Sequence, residues 1–124
     1  LIDRVGQYHL EDFLTCSYLP VANIVPGILE EERMHIAHGE RILQDLCATP
    51  EGKAEAQAAV DKMYPSALDM FGKSESKRSD KFREWGIKGR TNPESRQAYR
   101  DAVDPVIVAM GLVLPDPEKG RHFL

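Results

Sequence analysis

A chain of 124 residues, 42% hydrophobic and 29% charged with a formal net charge of −4, fits one compact domain or a piece of a larger one. The apolar content excludes a disordered chain, and the acidic balance argues against a nucleic-acid binder. The longest apolar stretch, Val103 to Leu114, is broken by Asp104, Pro105 and Gly111, so no membrane span is expected.

Leu1 to Tyr18 reads as a helix with Leu10, Leu14 and Tyr18 on one stripe, and it opens in mid-course without an N-cap residue. Further helices upstream of Leu1 are therefore expected. A turn at Ser17-Tyr18-Leu19 precedes Pro20, suited to the first position of a second helix that runs to about Cys47. Pro26-Gly27 either kinks that helix or marks its true start. Thr49-Pro50-Glu51 combines an N-cap, a first-turn proline and an early acid, opening a third helix that ends at Phe71 with Gly72 beyond it and a kink at Pro65. A short helix is expected around Ser79 to Trp85. Thr91-Asn92-Pro93-Glu94 repeats the opening signal for a fourth long helix to Met110, closed by Gly111. The last seven residues read as a loose tail. No segment alternates with period two, so the fold class is all-α.

One constellation carries chemistry. Glu32-Arg33-Met34-His35 is an E-x-x-H motif, and residues three apart on a helix project from one face within one turn of each other. A carboxylate and an imidazole so placed reach the same metal ion, as in di-iron bundles. The motif lies in a stripe of Ile24, Ile28, Glu32, His35, Gly39, Ile42 and Leu46, while Glu30, Arg33, Glu40, Arg41 and Gln44 make the opposite, solvated face. A carboxylate aimed into an apolar core costs several kcal/mol unless paired or metal-bound. The plain alternatives are a buried Glu–His hydrogen bond or a helix turned so that both residues meet water. If the first two helices form an antiparallel hairpin turning at Tyr18-Leu19, Asp3 lies level with Met34 and within one turn of Glu32 and His35. Asp3 is therefore the candidate third ligand.

His38 points off the stripe and reads as a flank residue, and His9 and His122 lack ligand spacing. Cys16 and Cys47 are too few for a disulfide framework and read as packed apolar groups in a reduced, cytoplasmic compartment. Tyr64, Phe71, Phe82, Trp85 and Tyr99 are expected in the core or at interfaces. The basic run from Lys73 to Arg90 is a solvated surface by default and otherwise suits an anionic phosphate group or an acidic partner.

Six stretches occur together and in order: Leu1-Ile2-Asp3; Ser17-Tyr18 with Pro20; Glu31-Glu32 with His35; Pro65-Ser66-Ala67-Leu68; Met70-Phe71-Gly72; and Met110-Gly111 leading to Pro115-Asp116-Pro117. In these the chain resembles the catalytic subunits of ring-1,2-phenylacetyl-CoA epoxidases. The resemblance implies the C-terminal part, residues 1–124, of a ferritin-like helical bundle. It implies Asp3, Glu32 and His35 as ligands of a di-iron centre, and no further catalytic residue is indicated. The activity implied is dioxygen activation and insertion of one oxygen atom into the ring of an aromatic acyl-CoA. Electrons would come from a reductase subunit, and a structural subunit would pair with the catalytic one in an oligomer. By ligand type manganese is as compatible as iron. The family's second E-x-x-H and second acid, from earlier helices, have no counterpart in this chain. Pro26-Gly27 also falls where the family's helix is uninterrupted, which points to a reshaped pocket and a different acyl-CoA. Two other readings stay open: a metal-free or half-site scaffold subunit, and a ferritin- or rubrerythrin-like iron handler.

Overall fold

A computed structural model describes residues 1–124. Its fold is all-α, without strands: α1 (Ile2–Phe13), α2 (Leu19–Leu46), α3 (Pro50–Asp69), α4 (Lys77–Glu84) and α5 (Asn92–Ala109). The local chemistry at the starts is the chemistry expected. Thr49 Oγ1 accepts from the Gly52 amide at 3.1 Å ahead of Pro50. Thr91 and Glu94 form a reciprocal capping box, the Thr91 amide donating to Glu94 Oε2 at 2.7 Å and the Glu94 amide to Thr91 Oγ1 at 3.3 Å. The short helix α4 starts two residues earlier than expected because Ser76 caps it, its Oγ accepting from the Ser79 amide.

Helix α1 stops at Phe13, five residues short of the expected end. The Leu14 amide bonds back to Glu11 and the Cys16 amide to Phe13, which tightens the chain into a turn. That turn is then pinned from outside: the Ser17 amide donates to Gly86 O at 2.9 Å and Ser17 Oγ to Trp85 O at 2.7 Å. Gly86 sits at φ +74, and a Cβ there would lie 3.3 Å from Ser17 Cβ, so the contact needs glycine. Leu19 and Pro20 fill the first two positions of α2.

Pro26 does not end α2. The helix runs through it, as α3 runs through Pro65 and α5 through Pro105. An internal proline costs about 3 kcal/mol. Val25 and Leu29 beside it are only 1% and 2% exposed, and burying each returns about 1.5–3 kcal/mol, enough to hold the helix together.

The core is built by α1, α3 and α5 around Val5, Val60, Tyr64, Leu68, Tyr99 and Val103. Tyr64 and Tyr99 are fully buried, and Tyr99 stacks at a tilt on Phe71 with centroids 5.5 Å apart. Tyr64 keeps its hydroxyl satisfied by donating to Asp104 Oδ1 at 2.7 Å, while Arg100 Nε donates to the same hydroxyl. Burial first and the Asp104 bond second push its phenol up to about 12. Helix α2 packs along α1 as an antiparallel partner and leans on the start of α3. There Gly52 admits the α2 terminus so closely that a Cβ would collide with Leu46 O.

The side of α2 that packs is not the expected stripe. Val25, Leu29 and Ile36 are buried, whereas Ile24 and Ile42 are 59% and 54% exposed. Each buried residue is one position from an expected one, a rotation of about 100° per residue. The apolar sector of α2 is wide, and only its one edge meets α1 and α3. The C-terminal tail is also tied down rather than loose. Asp69 accepts from the His122 and Phe123 amides at 2.7 and 3.1 Å, and Arg121, its side chain 3% exposed, lies 3.6 Å from the same carboxylate. No helix is long and apolar enough to cross a membrane.

Candidate metal centre and adjoining cavity

Glu32 sits on α2 at the boundary between the packed and the exposed sectors. Its carboxylate turns toward α1, where Gly6 presents no side chain, and a Cβ at Gly6 would lie 3.8 Å from Glu32 Oε2. This fixes the hairpin register to within one residue of that expected from the turn. Glu32 Oε2 is buried and has no hydrogen-bond partner. A buried acceptor left unpaired costs about 1–3 kcal/mol, so an oxygen held in this state calls for a ligand or a function.

Asp3 and His35 are both exposed, and both line one cavity of about 280 Å³ between α1, α2, α3 and α5. Glu32 is not part of that wall. The structure thus brings Asp3 and His35 to one surface and sets Glu32 one turn away, against Gly6. No three His, Cys, Asp or Glu side chains converge into a complete metal cage. The donor set suits a hard or borderline cation, with two carboxylates and one imidazole. The unpartnered oxygen of Glu32 fits it as well, as a partial ligand set. His38 is exposed on the flank of α2, about 60° around the helix from His35. His9 lies against Phe71 with its Nε2 3.3 Å from Met70 O, and burial lowers its pKa from the ordinary value.

The cavity itself was invisible in the sequence, because four helices contribute its wall and none shows a period for it. Most of its lining is hydrophobic, including Ile36, Leu43, Val60, Met63 and Ile107. Its polar end carries Asp3, His35, Arg4 and Glu40. Arg4 Nη2 donates to Glu40 Oε1 at 2.9 Å and Arg4 Nη1 to Gln7 Oε1 at 3.0 Å, so the guanidinium braces α1 against α2 at the rim. An apolar chamber with a few polar groups at one end suits a small, largely hydrophobic ligand.

The aromatic residues divide: Tyr64, Phe71 and Tyr99 are core, Phe82 is half-buried, and Trp85 is exposed against Phe82. Cys16 is buried and Cys47 half-buried, both as free thiols. The basic run forms α4 and its flanks, with Lys73, Lys77, Arg78 and Lys81 exposed as a solvated face.

A family model described as phenylacetic acid catabolic protein matches residues 1–122. The chain is 31% identical over 126 residues to one of the subunits of the 1,2-phenylacetyl-CoA epoxidase of Escherichia coli (strain K12). That match covers 99% of this chain and 40% of the relative, so the chain spans about two fifths of the length of the protein it resembles.

Proposed function

Because the chain belongs to the phenylacetic acid catabolic protein family, we propose that it is the metal-binding half of the catalytic subunit in an oxygenase for an aromatic acyl-CoA such as phenylacetyl-CoA. Asp3, Glu32 and His35 supply its share of a di-iron centre, and residues outside this chain supply the rest. The observation that carries the reading is the buried, unpartnered Oε2 of Glu32 one helical turn from His35. Iron bound there would supply dioxygen activation for oxygen insertion into the aromatic ring; manganese satisfies the same ligand types.

The chain's own residues do the rest of the work. Glu32 and Asp3 offer anionic oxygens, and His35 offers an imidazole nitrogen from a rigid helix. The wall formed by Ile36, Val60, Met63 and Ile107 excludes water and holds an aromatic group beside Asp3 and His35. Arg4 and Glu40 fix the spacing of α1 and α2, and with it the height of Asp3 relative to His35. A closed site also needs cover for the exposed side of α2, where Ile24, Ile28, His35 and Ile42 face outward. Further helices, a reductase and a structural subunit complete the assembly in this reading. Its compartment is the cytoplasm, in keeping with the free thiols of Cys16 and Cys47.

A second reading is favoured by a different observation. No three ligands converge within the chain, which suits a scaffold that holds helices without metal. An iron handler without an organic substrate is less well supported, since it has no use for an apolar cavity of about 280 Å³. His35→Ala in the full-length protein separates these readings. The expected outcome is loss of iron by elemental analysis and loss of product from phenylacetyl-CoA and reductant, with helix content by circular dichroism retained. Unchanged iron and activity in that variant would leave the scaffold reading standing.

A further inference from the structure

The basic run takes no part in the metal centre or the cavity. Residues 73–90 carry seven Lys and Arg against three Asp and Glu, a net of +4, so the rest of a chain of net charge −4 carries −8. Three of the seven cations are engaged within the fold: Arg83 donates to Gly89 O, Lys88 to Asn92 Oδ1, and Arg90 pairs with Glu11 and Asp12. Lys77, Arg78 and Lys81 are exposed and take part in no salt bridge. At about 100° per residue, Lys77, Lys81, Trp85 and Arg78 fall within about 100° of one face of α4, away from buried Ser79. This placement works against the helix. Lys81 stands four residues from Lys77 and three from Arg78, so like charges repel, and the first turn holds two cations that the helix dipole disfavours.

Trp85, at the end of that face, is 56% exposed. Ser17 bonds to both Trp85 O and Gly86 O, which sets the α1–α2 turn beside it with Tyr18 62% and Leu19 67% exposed. An apolar patch bordered by unpaired cations thus lies at the turn end of the hairpin, beyond the roughly 15 Å of helix from Asp3 to Phe13. We propose that this face docks an acidic protein partner, whose carboxylates meet Lys77, Arg78 and Lys81 and whose apolar side chain packs on Trp85 and Tyr18. Aromatic anchors beside cations are the composition of an interface centre, and opposite charge across it sets partner choice and encounter rate. A nucleic acid or an anionic membrane is less well matched, since its extended charge would also meet the −8 of the remaining surface. No residue of the metal centre or cavity enters the proposal, so it stands apart from the oxygenase reading.

The test uses the full-length protein purified in its native complex and treated with a carbodiimide, which joins a lysine amine to a neighbouring carboxylate as an amide. Peptide mapping should find Lys77 or Lys81 joined to an Asp or Glu of a different protein. The complex should hold at about 0.1 M salt and dissociate at about 1 M, as the screening length falls from about 10 to about 3 Å. With the cross-linked protein purified, its dissociation constant is measured by calorimetry. The triple variant Lys77→Glu, Arg78→Glu, Lys81→Glu should weaken binding roughly tenfold or more. Trp85→Ala, which leaves the charges in place, should weaken it as well, with helix content by circular dichroism retained in both. Cross-links confined to this chain or to a second copy of it, an isolated protein without any partner, or binding unchanged in the triple variant would overturn the proposal. Heparin or anionic phospholipid vesicles bound by wild type and lost in the triple variant, with no protein cross-linked, would assign the face to a polyanion and overturn it too.

Discussion

Replacing Glu32 by methionine should make the metal-free protein more stable and the iron-treated protein less so. Glu32 Oε2 is buried beside Gly6 without a partner, and an unsatisfied buried acceptor costs about 1–3 kcal/mol. The residue is half-exposed overall, which puts the cost near the lower end, about 1 kcal/mol. Methionine has similar length, and since even a Cβ added at Gly6 would lie 3.8 Å from Glu32 Oε2, there is room for its thioether. A gain of about 1 kcal/mol raises the unfolding midpoint by about 2–5 °C in a domain of this size. Iron works in the opposite direction, since a ligand at 100 times its dissociation constant stabilises the native state by about 2.7 kcal/mol. Thermal unfolding of chelator-treated and iron-loaded samples therefore gives a crossover: the variant melts higher without metal and lower with it. Iron shifting both proteins equally, or a metal-free variant that melts below wild type, would refute the reasoning, because Glu32 would then be a solvated helix residue.

Two further outcomes follow from the same kind of accounting. Arg96→Met should lower stability by at least about 3 kcal/mol in urea unfolding, because its buried guanidinium donates to Gly72 O and Ser74 Oγ just past α3, two charged hydrogen bonds of about 1.5–3 kcal/mol each, and more weakly to Leu68 O at 3.4 Å. At Asp69, partial burial pushes the carboxyl up, but the His122 and Phe123 amides and Arg121 outweigh it and hold the pKa below the ordinary 3.8. A depressed carboxyl stabilises the fold above the unfolded value and loses that contribution as pH falls through the folded one. The stability gap between wild type and Asp69→Asn should thus be constant near neutrality and close below pH 4, as followed by unfolding across a pH series.

The helix starts were readable because capping is local: Thr49 and Thr91 bond to amides three residues away, and no distant group is needed to see it. The direction of α2 was not. Ile24, Val25, Ile28 and Leu29 are all apolar, and only contact with α1 and α3 selects Val25 and Leu29 for burial. The tail went unread for the same reason, since Arg121 finds Asp69 across 52 positions of sequence. Of the site, the E-x-x-H and the level of Asp3 came from helix geometry and a turn. The cavity did not, because a void among four helices leaves no period in any of them.

Helix α1 has its closing contacts at the other end of the chain. Val5 packs in the core with Val103, Tyr8 meets Tyr99 edge-on, and Ser95 Oγ donates to Asp12 Oδ2 at 3.4 Å. Roughly 90 residues separate these partners, which a ribosome adding about 5–20 residues per second needs some 5–20 s to deliver. For that interval α1 and α2 exist as a hairpin without α5 to cover Val5. The nascent chain thus passes through a stage with the α5-facing side of α1 uncovered, the kind of species that holding chaperones recognise. Substitutions at Tyr99 or Val103 would prolong that stage and should be felt as lost yield during expression before they are measured as lost stability.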